Sequence, residues 1–362
     1  MSNQSLRPNE RTRQVKVGDV CVGGGAPVSV QSMCTTPTSD AAATLAQIED
    51  LAQAGCEIIR VAVPNDAALD GFEAICAASP LPVVADIHFD WKLAVESVRR
   101  GAAALRINPG NIGSWDKVDA VIDAAAEAGV PIRIGVNAGS LAAAVSERSD
   151  LTLPEKLVLS CEEFVRHFEQ KGFFDIVLSA KAHSVPVTIE CYRELSRRLP
   201  QYPLHVGVTE AGTLYQGTVK NCVAVGALLA DGIGDTMRLS LTADPVEEVK
   251  LAWEVLASLN LRRQKPELVS CPTCGRTQVE LIGIASEVED RLKDIRLPIS
   301  VAVMGCVVNG PGEARDADIG IACGKGRGSI FIHGKPIRTV DEADLVDELM
   351  DEIARLEQSK VS

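Results

Sequence analysis

The chain has 362 residues, too many for one ordinary domain, and suits a barrel of about 250 residues joined to a second module of about 100. Hydrophobic residues make up 46% and aromatic residues only 4%, which suits tightly packed α/β layers. A formal net charge of −13 argues against nucleic acid as a partner, and a polar Met1 to Gln14 with no long apolar run anywhere points to a cytoplasmic protein without a membrane span.

Val15 to Val22, around Gly18-Asp19, reads as a small hairpin, and Gly23-Gly24-Gly25 as the turn leading out of it, so residues 1–27 form an N-terminal segment. A rhythm follows. Short β-rich runs recur at Val28 to Met33, Ile58 to Val63, Pro82 to Phe89, Ala104 to Asn108, Ile132 to Asn137, Ile176 to His183, Leu204 to Glu210 and Met237 to Leu241. Helical stretches lie between them: Ala41 to Gln53, Asp66 to Ala77, Trp91 to Arg100, Trp115 to Glu127, Pro154 to Gln170, Pro186 to Arg198, Leu214 to Ala230 and Pro245 to Asn260. Strand and helix alternating in this way predict a (β/α)8 TIM barrel over residues 28–261 rather than an open sheet.

Arg262 to Pro266 is polar, ends in a helix-breaking Pro, and reads as a linker. Residues 267–362 form the second domain, a small α+β module. Val279 to Lys293 and Asp341 to Gln358 read as helices, and Ile299 to Val303, Asp318 to Ala322 and Ser329 to His333 as strands. Gly324-Lys325-Gly326-Arg327-Gly328 lies between two of those strands and opens no helix, so it reads as a hairpin turn rather than a phosphate loop.

The barrel strands carry polar residues of matching parity towards their C-terminal ends: Asp86 and His88, Arg106 and Asn108, Arg133 and Asn137, Ser179, Lys181 and His183, Arg238 and Ser240. Strand side chains alternate faces, so each set points one way, and in a barrel the productive way is inward at the top. With Arg60 on the second strand, the cations Arg60, Arg106, Arg133, Lys181 and Arg238 converge from five strands. Buried cations need counter-charge, and the Arg fork matches phosphate; pairing with Asp86, Glu210 and other acids in a structural layer is the competing explanation. Glu210, at the end of the seventh strand, suits a general acid with a raised pKa in a closed site, or an arginine partner.

Eleven cysteines, mostly in apolar segments, fit a reducing compartment. Three stand apart. Cys271-Pro272-Thr273-Cys274 is followed at a distance by Cys306 in the Gly/Pro-rich run Met304 to Glu313, and Glu313 is a possible fourth ligand. Three thiolates and a carboxylate suit an iron-sulfur cluster with one labile corner, a zinc site, or in part a redox dithiol. Cys323 is the residue that an all-cysteine zinc site would recruit.

Ser270 to Thr277 and Met304 to Glu313 resemble the cluster-binding segments of the 4-hydroxy-3-methylbut-2-enyl diphosphate synthase family, in its short two-domain bacterial form. The resemblance extends over Ala85 to Phe89, Arg106 to Asn111, Arg133 to Asn137, Ser179 to Lys181, Gly207 to Gly212 and Arg238 to Ser240. It implies one [4Fe-4S] cluster per chain, on Cys271, Cys274, Cys306 and Glu313. It also implies that Arg60, Arg106, Arg133, Asn137, Lys181, Arg238 and Ser240 hold the diphosphate of 2-C-methyl-D-erythritol 2,4-cyclodiphosphate. Asp86, His88, Asn108 and Ser179 complete the expected substrate contacts, and Glu210 is the expected proton donor. One departure is local: Cys34-Thr35-Thr36-Pro37-Thr38 follows Gln31-Ser32-Met33 where a polar Thr/Asn/Asp run is expected.

The implied reaction is a two-electron reductive ring opening with loss of water. No Gly-x-Gly-x-x-Gly follows a strand and opens a helix, so the electrons come from a separate carrier, a flavodoxin or ferredoxin. The last barrel helix carries the chain roughly 25 Å back to the barrel floor, so the expectation is a homodimer in which each mouth is capped by the other chain's cluster domain. Two rivals remain on sequence grounds: a non-redox barrel transferase with structural zinc, and an iron-sulfur sensor that binds a phosphorylated ligand without turnover.

Overall fold

The computed structural model describes residues 9–361 except 142, 276, 278 and 307–313. The chain divides into two compact units, Met1–Arg262 and Arg263–Ser362. No helix among the described residues is long and apolar enough to cross a membrane.

The first unit begins with an antiparallel hairpin, β1 (Val15–Val17) and β2 (Val20–Val22). The left-handed φ of Gly18 (57°) makes its turn. Eight parallel strands follow: β3 (Ser29–Met33), β4 (Ile58–Ala62), β5 (Val83–Ile87), β6 (Ala104–Ile107), β7 (Ile132–Asn137), β8 (Ile176–Lys181), β9 (His205–Val206) and β10 (Thr236–Met237). They pair in the order β8-β7-β6-β5-β4-β3-β10-β9, and a parallel bridge from Leu178 to Leu204 closes the ring. This is the expected (β/α)8 barrel. Its helices are α1 (Ala41–Gln53), α2 (Leu69–Ala78), α3 (Trp91–Arg99), α4 (Trp115–Ala128), α5 (Leu153–Gln170), α6 (Val185–Arg198), α7 (Leu214–Ala230) and α8 (Pro245–Ser258).

The helices start where side chains can satisfy their free amides. Asp40 caps α1, accepting from the Ala43 amide at 3.0 Å. Thr152 and Glu155 form a reciprocal capping box on α5, and Asp244, with Pro245 at the first helical position, caps α8. The last two barrel strands are shorter than expected. Leu204 to Glu210 keeps only two strand residues, and Met237 to Leu241 is replaced by Thr236–Met237. Gly207 directly follows β9, and a Cβ there would lie 2.2 Å from the Arg238 carbonyl oxygen.

Alternation sorts the strands into two faces. Ile59, Val61, Ala85, Ile87, Leu105, Ile107, Ile132, Ile134, Leu178 and Val206 belong to the main core with the helices. The opposite parity lines the interior. At the strand starts Ile58, Val84, Ala104 and Val177 meet Val15, Val17 and Val22 of the hairpin in a separate apolar cluster, so the hairpin plugs the floor. One step higher the interior turns polar.

The second unit holds a five-stranded sheet in the order β11 (Glu267–Ser270), β12 (Ser300–Met304), β13 (Ile319–Gly324), β14 (Arg327–Ile332) and β15 (Lys335–Asp341). Two helices, α9 (Leu281–Leu292) and α10 (Leu345–Val361), pack on its apolar face. Two strands lack the apolar signal and were not expected. Glu267–Ser270 is short and partly exposed, and Lys335–Asp341 is an exposed edge strand that begins Lys-Pro. Gly324 to Gly328 is the expected hairpin, with Gly326 at a φ of 75°.

Candidate active site

Strand register brings the interior residues together. Met33 is level with Arg60, Asp86 with Arg106, Arg106 with Arg133, and Asn137 with Lys181. Asp86 is the hub: its carboxylate lies 3.1 Å from Arg106 Nη1, 3.6 Å from Arg60 Nε and 3.5 Å from His88 Nε2. Burial pushes its carboxyl pKa up, but Arg60, a hydrogen bond from His88, and Arg106 outweigh that and hold it well below the usual range. Burial brings Arg60 down to about 10 against the pull of Asp86.

A second carboxylate serves the other side. Glu248, on α8, lies 3.3 Å from Arg238 Nη2 and accepts from the Leu241 amide at 2.9 Å. Arg133 and Lys181 have no carboxylate partner among the described residues. Burial lowers both well below their ordinary values; Arg60 and Arg106 push Arg133 further, and Arg133 and Arg238 do the same to Lys181. An arginine keeps its proton under such conditions, so this arrangement calls for an anion.

Arg133 shows which edge is free. Its Nη1 donates to Gln31 Oε1 at 2.9 Å, while its Nε and Nη2, both buried, have no partner among the described residues. Those two atoms form the side-on fork that suits a carboxylate or phosphate. Beneath it a cavity of about 20 Å³, room for one water, is bounded by Gln31, Arg133, His205 and Thr236 above and by the floor residues below. His205 is completely buried and held neutral by burial and by Arg133 and Lys181.

The other expected residues are placed as follows. Ser240 Oγ donates to the Val208 carbonyl at 2.6 Å. Asn137, with its amide oriented by the network, accepts from Arg106 Nη2 at 3.2 Å. Asn108 is buried and its Oδ1 accepts from the Gly110 amide, capping the short helix Pro109–Ile112. Ser179 is buried on the inward face of β8. His88 is half exposed, and His183 is exposed. Glu210 is also exposed in the single chain, in a left-handed conformation (φ 55°).

Sequence reasoning missed Gln31, Met33, Gly135 and Glu248. Gln31 and Met33 share the inward parity of β3 and were legible in principle. Met33 Sδ lies 2.8 Å from Arg60 Nη2. A Cβ on Gly135 would come 2.6 Å from Arg106 Nε, so the missing side chain is the room Arg106 occupies. Glu248 carries no local signal, being one of two acids in the first turn of a helix.

In the second unit β11 and β12 are parallel neighbours, and their C-terminal ends carry the thiols. Cys271 follows Ser270, and its Sγ accepts from the Gly305 amide at 3.2 Å; Cys306 is the next residue, half buried, and Cys274 is exposed. Amide donors aimed at sulfur suit a thiolate that carries charge to a metal, so these residues fit a cluster's donor set. Among the described residues no three His, Cys, Asp or Glu side chains approach closely enough to hold a metal ion, and Glu313 lies outside the described residues. Cys323 is buried at the end of β13, its thiol pushed up to about 11 by burial. Burial also pushes Cys34, Cys56, Cys76 and Cys191 up to about 12, which suits inert packing thiols, Cys34 at the end of β3 included.

Fold and site define a class: a (β/α)8 barrel whose interior carries more positive than negative charge, followed by a small α+β unit presenting cysteines at the C-terminal ends of two adjacent strands. Comparison with known families gives the particular case. The GcpE TIM-barrel domain matches residues 12–253 and the GcpE protein C-terminal domain matches residues 267–355, and the chain belongs to this family. It is 55% identical over 346 residues to 4-hydroxy-3-methylbut-2-en-1-yl diphosphate synthase (flavodoxin) of Geobacter sulfurreducens, covering 96% of this chain and 98% of that protein. The enzymes of the same name from Maridesulfovibrio salexigens and Corynebacterium jeikeium are 54% and 51% identical, covering 95% and 98% of this chain and 96% and 92% of theirs. Among solved structures, an N-acetylneuraminic acid synthetase of Leptospira borgpetersenii is similar with a TM-score of 0.51 at 16% identity, over 79% of this chain and 99% of that one, a likeness of fold alone.

Proposed function

We propose that this protein is a reductase of cyclic diphosphates: it opens 2-C-methyl-D-erythritol 2,4-cyclodiphosphate and removes water to give 4-hydroxy-3-methylbut-2-enyl diphosphate. The observation that carries this reading is charge. Five cations face the barrel interior, two carboxylates meet them, and the side-on fork of a buried arginine has no protein partner.

In this reading Arg133 and Lys181 take the diphosphate charge directly, and Arg60, Arg106 and Arg238, each oriented by a carboxylate, complete the clamp. Asn137, Ser240, Ser179, Asn108, Asp86 and His88 shape and orient the pocket. Glu210 supplies a proton from the mouth. Cys271, Cys274, Cys306 and Glu313 would hold one [4Fe-4S] cluster per chain, which when bound would pass on the two electrons one at a time, received from flavodoxin, the carrier in the relatives' names, or from a ferredoxin. Reduced thiols and an acidic chain support a cytoplasmic enzyme with no nucleic-acid or membrane partner.

We infer that the working form is a homodimer. Arg262, where the barrel unit ends, donates to the Val28 carbonyl and to Glu57, all at the barrel floor, and β11 begins five residues later at Glu267. That path supports capping of each mouth by the thiol-bearing unit of a second chain.

The test is anaerobic reconstitution followed by iron and sulfide analysis and product detection by mass spectrometry with a reduced flavodoxin. Iron, sulfide and reductant-dependent product are expected, and iron is expected to survive Cys323→Ala but not Cys306→Ala. Zinc with no iron, or turnover without reductant, would refute the reading.

A further inference from the structure

Glu248 lies outside every motif that points to the barrel interior, yet it is only 4% exposed and its carboxylate faces one of the five cations. We propose that Glu248 is a positioning residue: it sets which edge of the Arg238 guanidinium is offered to a bound diphosphate. This deepens the reading above and rests on it.

Asp244 already caps α8, its side chain accepting from the Val246 amide at 2.9 Å, so the start of the helix does not need Glu248. Helical side chains lean towards the N-terminus, which returns the Glu248 carboxylate to the end of β10. There it is held twice. Oε1 accepts from the Leu241 amide at 2.9 Å, and the two oxygens stand 3.4 and 3.3 Å from Arg238 Nη2.

The carboxylate therefore cannot swing without breaking a backbone hydrogen bond, and Arg238 inherits that rigidity. With Nη2 committed, the remaining guanidinium donors are Nη1, which reaches Met33 Sδ at 3.9 Å, and Nε, which is buried without a partner among the described residues. These are the donors left for a ligand oxygen.

A double-mutant cycle on the reconstituted holoenzyme tests this, with Glu248→Gln, Arg238→Ala and the pair together. The readouts are calorimetric affinity for inorganic pyrophosphate, and KM and kcat for the cyclic diphosphate. Glu248→Gln keeps the volume and an acceptor for the Leu241 amide, and is expected to weaken pyrophosphate binding and raise KM about tenfold while changing kcat less. In the Arg238→Ala background the same change is expected to have no further effect. Equal losses in both backgrounds, or a folded Glu248→Gln protein with unchanged KM, would overturn the inference. Should Glu248→Gln fail to fold by circular dichroism, Glu248→Asp, which withdraws the charge by one methylene, takes its place in the same cycle. A wild-type protein that binds neither ligand overturns the functional reading and this inference with it; additivity on a binding-competent wild type overturns this inference alone.

Discussion

Asp86→Asn is the most informative single change, because one carboxylate 3% exposed serves Arg60, Arg106 and His88 together. Removing one partner from a buried ion pair costs about 3–5 kcal/mol. Asparagine keeps an acceptor oxygen for the Arg106 contact at 3.1 Å, which places the expected loss at about 3 kcal/mol. For a domain of this size that is a fall in Tm of about 6–12 °C. The assay is thermal unfolding followed by circular dichroism at pH 7.5, with and without pyrophosphate. The variant should melt lower and recover a larger share of its Tm on adding pyrophosphate, because the anion replaces missing negative charge. The pH dependence follows from the sign of the shift. The folded-state pKa of Asp86 lies below its unfolded value, so its contribution is complete above about pH 4 and fades as pH falls further, and the two proteins should converge in acid. A loss below about 1 kcal/mol at neutral pH, or no added rescue by pyrophosphate, would refute the hub role.

Gly135→Ala should displace Arg106 while leaving the barrel folded: pyrophosphate affinity is expected to drop at least about tenfold, with a melt lowered by about 1–3 kcal/mol, checked by calorimetry and urea unfolding. Lys181→Met removes a repelled cation and should raise stability by about 1 kcal/mol while abolishing pyrophosphate binding, so a variant that binds normally would exclude Lys181 from the clamp. Asp235, whose Oδ2 accepts from the Leu204 amide at 2.8 Å and Oδ1 from Thr12 Oγ1 at 3.0 Å, is raised to about 6 by burial. Its folded pKa exceeds the unfolded one, so its stabilising effect is complete at low pH and is lost as pH rises through 6. Asp235→Asn should therefore equal or exceed the wild type in Tm at pH 8 and flatten the profile between about pH 4 and 6, by roughly 1–3 kcal/mol.

Much of the site was readable because parity and direction are local properties. Asp86, Arg106, Arg133 and Lys181 sit on short apolar strands whose alternation leaves one inward direction, and Arg238 directly follows the last strand; register levels Asp86 with Arg106 and Arg106 with Arg133, and sets Lys181 level with Asn137 further along. What escaped had no local periodicity to betray it. β15 is an exposed edge, β11 has four residues, and β9 has only two. Glu210, beyond the end of β9, takes a positive φ and is exposed in the single chain; its enclosure depends on what covers the mouth, which no strand periodicity encodes.

The alternation of strand and helix, the cations on four strands and just past a fifth, and the spacing of the three cysteines are all legible in the sequence, since they depend on neighbours a few residues apart. Tertiary structure alone decided how charge is shared: that Asp86 serves two arginines, that Glu248 reaches back from α8 to Arg238, and that the fork of Arg133 is left without a protein acceptor. Ion pairing inside a barrel depends on distances between residues up to dozens of positions apart in the chain, and closing the ring of strands is what sets those distances.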